Sequence, residues 1–237
     1  MFEQALYGIA RPLIGVYGRL LRLNVLQHAS LPDGPKIIVA NHPTTSDPFL
    51  VAYVTHEPAH MLIMGRIFDI PLFGAYLRHC GHIPVVDGDG RRAFNSAETH
   101  LRDGGTLIIF PEGNLSPLEG SFETPRSGAA RLALMTGVPV VPMGISLSPR
   151  GLWTPKGEIK DTPVNIRFAK RGPYGLTVGH PLRYEGDVED RDYVRIVATR
   201  MMQHVMELAQ ESRERLEASR FPIPELWPAT PKPVITA

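Results

Sequence analysis

Lys36-Ile37-Ile38-Val39-Ala40-Asn41-His42-Pro43-Thr44-Thr45-Ser46-Asp47-Pro48-Phe49 passes from an apolar run into a polar turn and then a helix start. A short run of this kind, bounded by turn residues, reads as a strand buried on both faces, the sort found in parallel sheets. The Asp-Pro pair reads as an N-cap followed by a proline at the first helical position. Strand, polar loop and helix therefore follow one another within about twenty residues, which is the opening of an α/β unit.

The same alternation continues on both sides. Strands are expected at Lys36–Ala40, His60–Met64, His82–Val86, Thr106–Phe110, Val140–Ser146, Val164–Ala169 and Leu176–Gly179. Helices are expected at Pro48–Thr55, Arg91–Arg102 and Gly128–Met135. A long closing helix over Asp190–Ser219 has Tyr193, Ile196, Val197, Met201, Val205 and Leu208 as its buried stripe. The fold class is α/β, with a mixed, largely parallel sheet flanked by helices and an amphipathic helix at the N-terminus. Three regions follow: residues 1–30 as an amphipathic membrane-interface helix, 31–220 as the main domain, and 221–237 as an extended tail with five prolines.

In residues 1–27, Phe2, Leu6, Ile9, Leu13, Val16, Tyr17, Leu20 and Leu21 keep helical spacing. Arg11, Gly15, Gly18, Arg19 and Arg22 fall on the other face. Such a segment can lie in a membrane interface with its arginines among anionic headgroups, or pack on its own domain. Twenty-five Lys+Arg against twenty-four Asp+Glu give a net charge of +1, which speaks against a nucleic-acid-binding surface. A single cysteine, Cys80, excludes an intrachain disulfide and fits a reducing compartment. No apolar run is long enough to span a bilayer, and Arg11 interrupts the first apolar stretch before a signal-peptide core forms. The expected location is cytoplasmic, peripheral to the cytosolic membrane face.

Open α/β sheets place ligands at the C-terminal ends of their strands, where His42 stands. Histidine titrates near neutral pH and can take a proton from a hydroxyl. Asp47, five residues on, can reach the imidazole across a turn, fix its tautomer and stabilise the imidazolium. The same two residues also read as a solvated loop histidine and a plain helix cap. A second strand end carries Phe110-Pro111-Glu112-Gly113-Asn114-Leu115-Ser116, and Gly137-Val138-Pro139-Val140-Val141-Pro142 forms a proline-punctuated strand.

These blocks, in this order, resemble the glycerolipid acyltransferases typified by 1-acylglycerol-3-phosphate acyltransferases. The family's N-H-x4-D block is similar to Asn41–Asp47, its F-P-E-G block to Phe110–Gly113 and its V-P-V-V-P block to Val138–Pro142. Gly81-His82-Ile83-Pro84-Val85 resembles its G-x-I-P-V strand, and Arg126-Ser127-Gly128-Ala129 its basic stretch. The resemblance covers roughly residues 36–182 and implies a glycerol-phosphate acyltransferase-like fold. It implies His42 as general base and Asp47 as its orienting partner. Glu112, Gly113, Asn114 and Arg126 would bind the acceptor, and Asn41, Pro43, Val141 and Pro142 would line the acyl-thioester pocket. The implied reaction moves a fatty acyl group from acyl-CoA or acyl carrier protein to a lysophospholipid hydroxyl. Membrane lipids are the expected partners, and no metal or other cofactor is expected.

The sequence departs from the family pattern twice. Leu115 stands where F-P-E-G-T-R has its arginine, and no arginine follows Ile83-Pro84-Val85-Val86-Asp87. Either Arg126, Arg91 or Arg92 supplies the missing charge, or the acceptor is a glycolipid, neutral lipid or amino-acid lipid without that phosphate. A competing pattern is Gly88-Asp89-Gly90-Arg91-Arg92-Ala93, a dinucleotide-type glycine spacing after a strand, with Glu112 as its downstream acid. Pro84 within that strand and the Phe-Pro-Glu-Gly context of Glu112 weigh against an oxidoreductase. The spacings of His79, Cys80 and His82, and of His56 and His60, lack the further ligands a zinc site needs.

Overall fold

The computed structural model describes residues 2–117, 122–160 and 162–220. In chain order its elements begin with helix α1 (Phe2–Leu20), β1 (Leu23–Gln27), β2 (Lys36–Ala40), α2 (Asp47–Thr55), β3 (His60–Met64) and α3 (Phe73–His79). There follow β4 (Ile83–Val85), α4 (Gly90–Arg102), β5 (Thr106–Ile109), α5 (Gly128–Thr136) and β6 (Val140–Leu147). The chain then forms β7 (Leu152–Trp153), β8 (Lys156–Ile159), β9 (Thr162–Asn165), β10 (Phe168–Ala169), β11 (Tyr174–Val178) and α6 (Arg191–Arg220).

Seven strands form one sheet in the order β1-β11-β6-β2-β5-β3-β4. The pairs from β6 through β2, β5 and β3 to β4 are parallel, β11 runs antiparallel to β6, and β1 runs parallel to β11. The sheet is therefore mixed and largely parallel. Every residue of β2 and β5 is buried, because both faces are covered. Ile37, Val39, Leu107 and Val140 pack beneath α4, α5 and α6 on one face. Ile38, Ile108, Val141 and Met143 pack on the other with Leu50, Val51 and Val54 of α2.

Helix α1 ends at Leu20, short of the expected 1–27. Arg22 takes a left-handed backbone conformation, and Leu23–Gln27 leaves the helix as the edge strand β1. Leu23 and Leu26 are half-buried while Asn24, Val25 and Gln27 are exposed, as befits an edge strand. The face carrying Arg11, Gly15 and Gly18 packs inward: a side chain at Gly15 would meet Tyr53, and one at Gly18 would meet Leu23 and Leu50. The Arg11 guanidinium lies 4.8 Å from the Tyr53 ring centre and donates to the Tyr53 carbonyl at 3.2 Å. Arg11 thus holds the helix to the domain, contrary to the reading that groups it with headgroup-facing arginines. Leu13, Val16 and Leu20 point away and are 71%, 54% and 66% exposed.

The expected strand Val164–Ala169 is broken at Arg167, and neither piece joins the main sheet. The Arg167 backbone pairs with Thr45 instead: its amide donates to Thr45 Oγ1 at 3.0 Å, and its carbonyl accepts from the Thr45 amide at 2.7 Å. Helix α3 and the short strands β7 and β8 are additions to the expected elements. The expected tail, 221–237, lies outside the described residues.

Candidate active site

Strands β2 and β5 are neighbours, and the loops leaving their C-terminal ends meet. The β2 loop carries His42, and the β5 loop carries Glu112 and Ser116. His42 stacks on Phe110 with ring centres 4.3 Å apart. Its Nδ1 lies 3.1 Å from Asp47 Oδ2, and its side chain is 18% exposed while that of Asp47 is 0% exposed. A buried aspartate paired to a partly open imidazole is an orienting arrangement rather than a surface ion pair.

Asp47 is the first residue of α2, and its carboxylate turns back into the loop without capping the helix. Oδ2 accepts from the Thr44 amide at 2.6 Å as well as facing His42. Oδ1 accepts from Thr44 Oγ1 and, at 2.7 Å, from the Tyr174 hydroxyl of β11. Four groups converge on one buried carboxylate, which satisfies the charge that burial would otherwise make costly. Burial first, and the Asp47 charge next, push the Tyr174 phenol well above its ordinary range, so it stays a donor. Thr44 Oγ1 also meets Ser46 Oγ at 3.1 Å, and Ser46 Oγ meets the Tyr17 hydroxyl at 3.0 Å. Tyr17 donates onward to the Ala169 carbonyl at 2.7 Å. With Thr44 donating to Asp47 and Tyr17 to Ala169, the single Ser46 hydrogen serves one of its two contacts, and the three hydroxyls link α1 to the His42–Asp47 loop.

Glu112 is 2% exposed. Its Oε1 accepts from Ser116 Oγ and from the His42 amide at 3.3 Å, while Oε2 accepts from the Glu123 amide at 3.2 Å. The His42 amide also donates to Ser116 Oγ at 2.7 Å, and the Ser116 amide donates to the His42 carbonyl at 2.8 Å. Glu112 therefore braces the His42 loop. With its carboxylate occupied in this way it offers no free acid to a ribose, which removes the support for a dinucleotide site.

Gly113, Asn114 and Arg126 gather at the exposed rim. Gly113 has φ +70°, and a β-carbon there would come within 2.5 Å of Arg126 Nε, so the guanidinium lies over this glycine. Arg91 and Arg92 open α4 beyond the edge strand β4. Asn41 is buried and ties β6 to β2: its Nδ2 donates to the Ile145 carbonyl at 2.9 Å and its Oδ1 accepts the Ile145 amide at 2.7 Å. Asn41, Pro43 and Ser116 border a cavity of about 340 Å³ shared with Ser148 and Arg213. Val141 and Pro142 lie inside β6, buried, and do not line it. Among the described residues no group of three or more His, Cys, Asp or Glu could hold a metal.

Thr44, Ser116, Tyr17, Tyr174 and Arg167 complete the surroundings, and sequence spacing points to none of them. Tyr174 is 127 positions from Asp47. It lies two residues before the strand expected at Leu176–Gly179, and the observed strand begins with it.

Comparison with known proteins places the chain in a family and a fold. The Acyltransferase family profile matches residues 22–146. An uncharacterized protein of Mycobacterium tuberculosis is 30% identical over 58% of this chain and 41% of its own length. A 1-acyl-sn-glycerol-3-phosphate acyltransferase of Pseudomonas aeruginosa is 26% identical over 70% of this chain and 62% of its own. The chain thus spans less than two thirds of either relative. The crystal structure of the 1-acyl-sn-glycerophosphate acyltransferase PlsC from Thermotoga maritima superposes with a TM-score of 0.65 and 22% identity, covering 89% of this chain and 81% of that one. That likeness concerns the fold.

Proposed function

The chain belongs to the Acyltransferase family, and from that premise we propose that it transfers a fatty acyl group from acyl-CoA or acyl carrier protein to the hydroxyl of a lysophospholipid, foremost 1-acylglycerol 3-phosphate, giving phosphatidic acid. The observation that carries the reading is the 3.1 Å pairing of His42 Nδ1 with a fully buried Asp47. With Nδ1–H donating to Asp47, Nε2 keeps its lone pair and takes the proton of the acceptor hydroxyl. The hydroxyl oxygen bonds to the thioester carbonyl, the carbon–sulfur bond breaks, and the imidazolium returns its proton to the departing thiolate. Asp47 stays ionised throughout and stabilises the imidazolium. Glu112 and Ser116 hold the His42 main chain while this happens.

Membrane lipids as substrates call for a protein that works at the bilayer surface. No described helix is long and apolar enough to cross a membrane. The exposed row Leu13, Val16 and Leu20 on α1 offers a shallow apolar contact, which supports a peripheral position at the bilayer surface.

The test follows thiol release from acyl-CoA and acyl carrier protein over a panel of lysophospholipid and neutral acceptors, with products identified by mass. His42→Ala is expected to lower turnover by about 10²- to 10⁴-fold with the fold intact. Asp47→Asn is expected to be severely impaired as well, because an amide permits the wrong imidazole tautomer. Full turnover in His42→Ala would remove the mechanism. A product formed only from neutral or glycolipid acceptors would favour the reading suggested by Leu115.

A further inference from the structure

We propose that Arg167 supplies the anion-binding fork of the acceptor site, taking the place of the arginine that Leu115 has displaced. The inference rests on the acyl-transfer reading above and names what recognises the acceptor's phosphate.

Arg167 lies between the short strands β9 and β10, yet its side chain reaches both catalytic loops. Nη1 donates to the Pro43 carbonyl at 3.0 Å and to the Ser116 carbonyl at 2.9 Å. Pro43 follows the base His42, and Ser116 follows Leu115. The guanidinium is therefore anchored one residue from the general base and one residue from the position of the missing cation. Both hydrogens of Nη1 are engaged. Nε is buried without a partner, and Nη2 makes no hydrogen bond among the described residues.

Nε and Nη2 form the edge of a guanidinium that grips a phosphate or carboxylate with two parallel bonds. A buried N–H left without a partner is unfavourable and calls for a reason. The carboxylates nearest in the network already have their donors: Asp47 faces Thr44, Tyr174 and His42, and Glu112 faces Ser116, Glu123 and the His42 amide. A phosphomonoester beside the reacting hydroxyl gives the free edge its partner. Lysine could not replace this geometry, because it brings a point charge without the fork.

The experiment compares wild type with Arg167→Met and Arg167→Lys. The kinetic readout is the ratio of kcat/KM for 1-acylglycerol 3-phosphate over 1-monoacylglycerol. Loosened loops lower both values alike and cancel from the ratio. Arg167→Met is expected to reduce it by about 10- to 100-fold, the span of a charge-assisted pair, and Arg167→Lys by less. An equal loss with both acceptors would make Arg167 a loop clasp only and overturn the proposal. A second readout is calorimetric titration of a short-chain 1-acylglycerol 3-phosphate, below its micelle concentration, against the matched monoacylglycerol. Preference for the phosphate that disappears in Arg167→Met and partly returns in Arg167→Lys supports the fork, even if wild type transfers no acyl group and the acyl-transfer reading fails. Unchanged phosphate preference in both variants overturns it, whatever the turnover. Thermal unfolding identifies a variant that has lost its fold, in which case Arg167→Lys alone decides.

Discussion

Asp47 shows how one residue's surroundings set the chemistry. A carboxylate with no exposed surface is unfavourable by several kcal/mol unless it is paired or hydrogen-bonded, and Thr44 and His42 from its own loop, with Tyr174 from β11, supply that environment. Tyr174 is the most informative of them, since it touches Asp47 and sits behind the site in the core. Tyr174→Phe keeps the ring packing and deletes one donor to a buried charge. It is expected to lower the unfolding free energy by about 1.5–3 kcal/mol. It should also reduce kcat with KM little changed, because the loss falls on the orientation of His42 and not on substrate contact. Urea unfolding together with steady-state kinetics checks both, and a phenylalanine variant as stable and as fast as wild type would mean the bond is idle. The pair His42 and Asp47 was legible because both lie on one short loop. Tyr174, Ser116 and Arg167 were not, since their distance from that loop in sequence is set by sheet order and no spacing rule encodes it.

At the scale of elements, legibility followed continuous apolar composition. The apolar runs Lys36–Ala40 and His60–Met64 form the strands expected of them, because hydrophobic patterning and sheet position agree. Val164–Ala169 alternates apolar residues with Asn165 and Arg167, and it breaks at Arg167, whose backbone pairs with Thr45. Residues 23–27 group with the helix in the sequence because its apolar spacing runs on to Leu20 and Leu21; the turn at Arg22 redirects the chain into the sheet. Helix α1 has apolar residues on two faces: Ile14 and Tyr17 pack against the domain, and Leu13, Val16 and Leu20 point away from it. Gly15, Gly18 and Arg11 also face the protein, so Leu13, Val16 and Leu20 are left for another phase. Replacing Leu13, Val16 and Leu20 together with serine is therefore expected to leave thermal unfolding nearly unchanged while sharply reducing cosedimentation with liposomes, since roughly 0.8 kcal/mol is lost per buried CH₂ withdrawn from lipid. Equal sedimentation of variant and wild type would return the row to an ordinary exposed surface.

Across the whole molecule, the loops carrying His42 and Glu112 leave one end of the parallel strands, and an ion pair closes the opposite end. At the latter, Lys36 Nζ meets Glu57 Oε1 at 2.7 Å and Thr106 Oγ1 at 3.2 Å, closing the starts of β2 and β5. On the α1 side a small void of about 30 Å³ is bordered by Ala10 and Ile14 of α1, Ala52 of α2, and Tyr76, Cys80 and His82. His82 stands where helix and domain join. Burial, and secondarily the charge of His60, lower its pKa to about 4, and its Nδ1 is buried without a partner. The unfolded chain takes up this proton near pH 6.5, whereas the folded chain holds it off until about 4. Between those values unfolding binds a proton, so stability rises with pH; the contribution is complete above 6.5 and is lost as pH falls towards 4. The shift corresponds to at most about 3 kcal/mol. His82→Leu removes the proton-binding group from a mostly apolar setting. Its unfolding free energy should therefore fall less than that of wild type between pH 6.5 and 4, with the two curves parallel above pH 7. Chemical denaturation at half-unit pH steps measures the difference, and parallel curves across the acid range would show that His82 does not link the α1 joint to protonation.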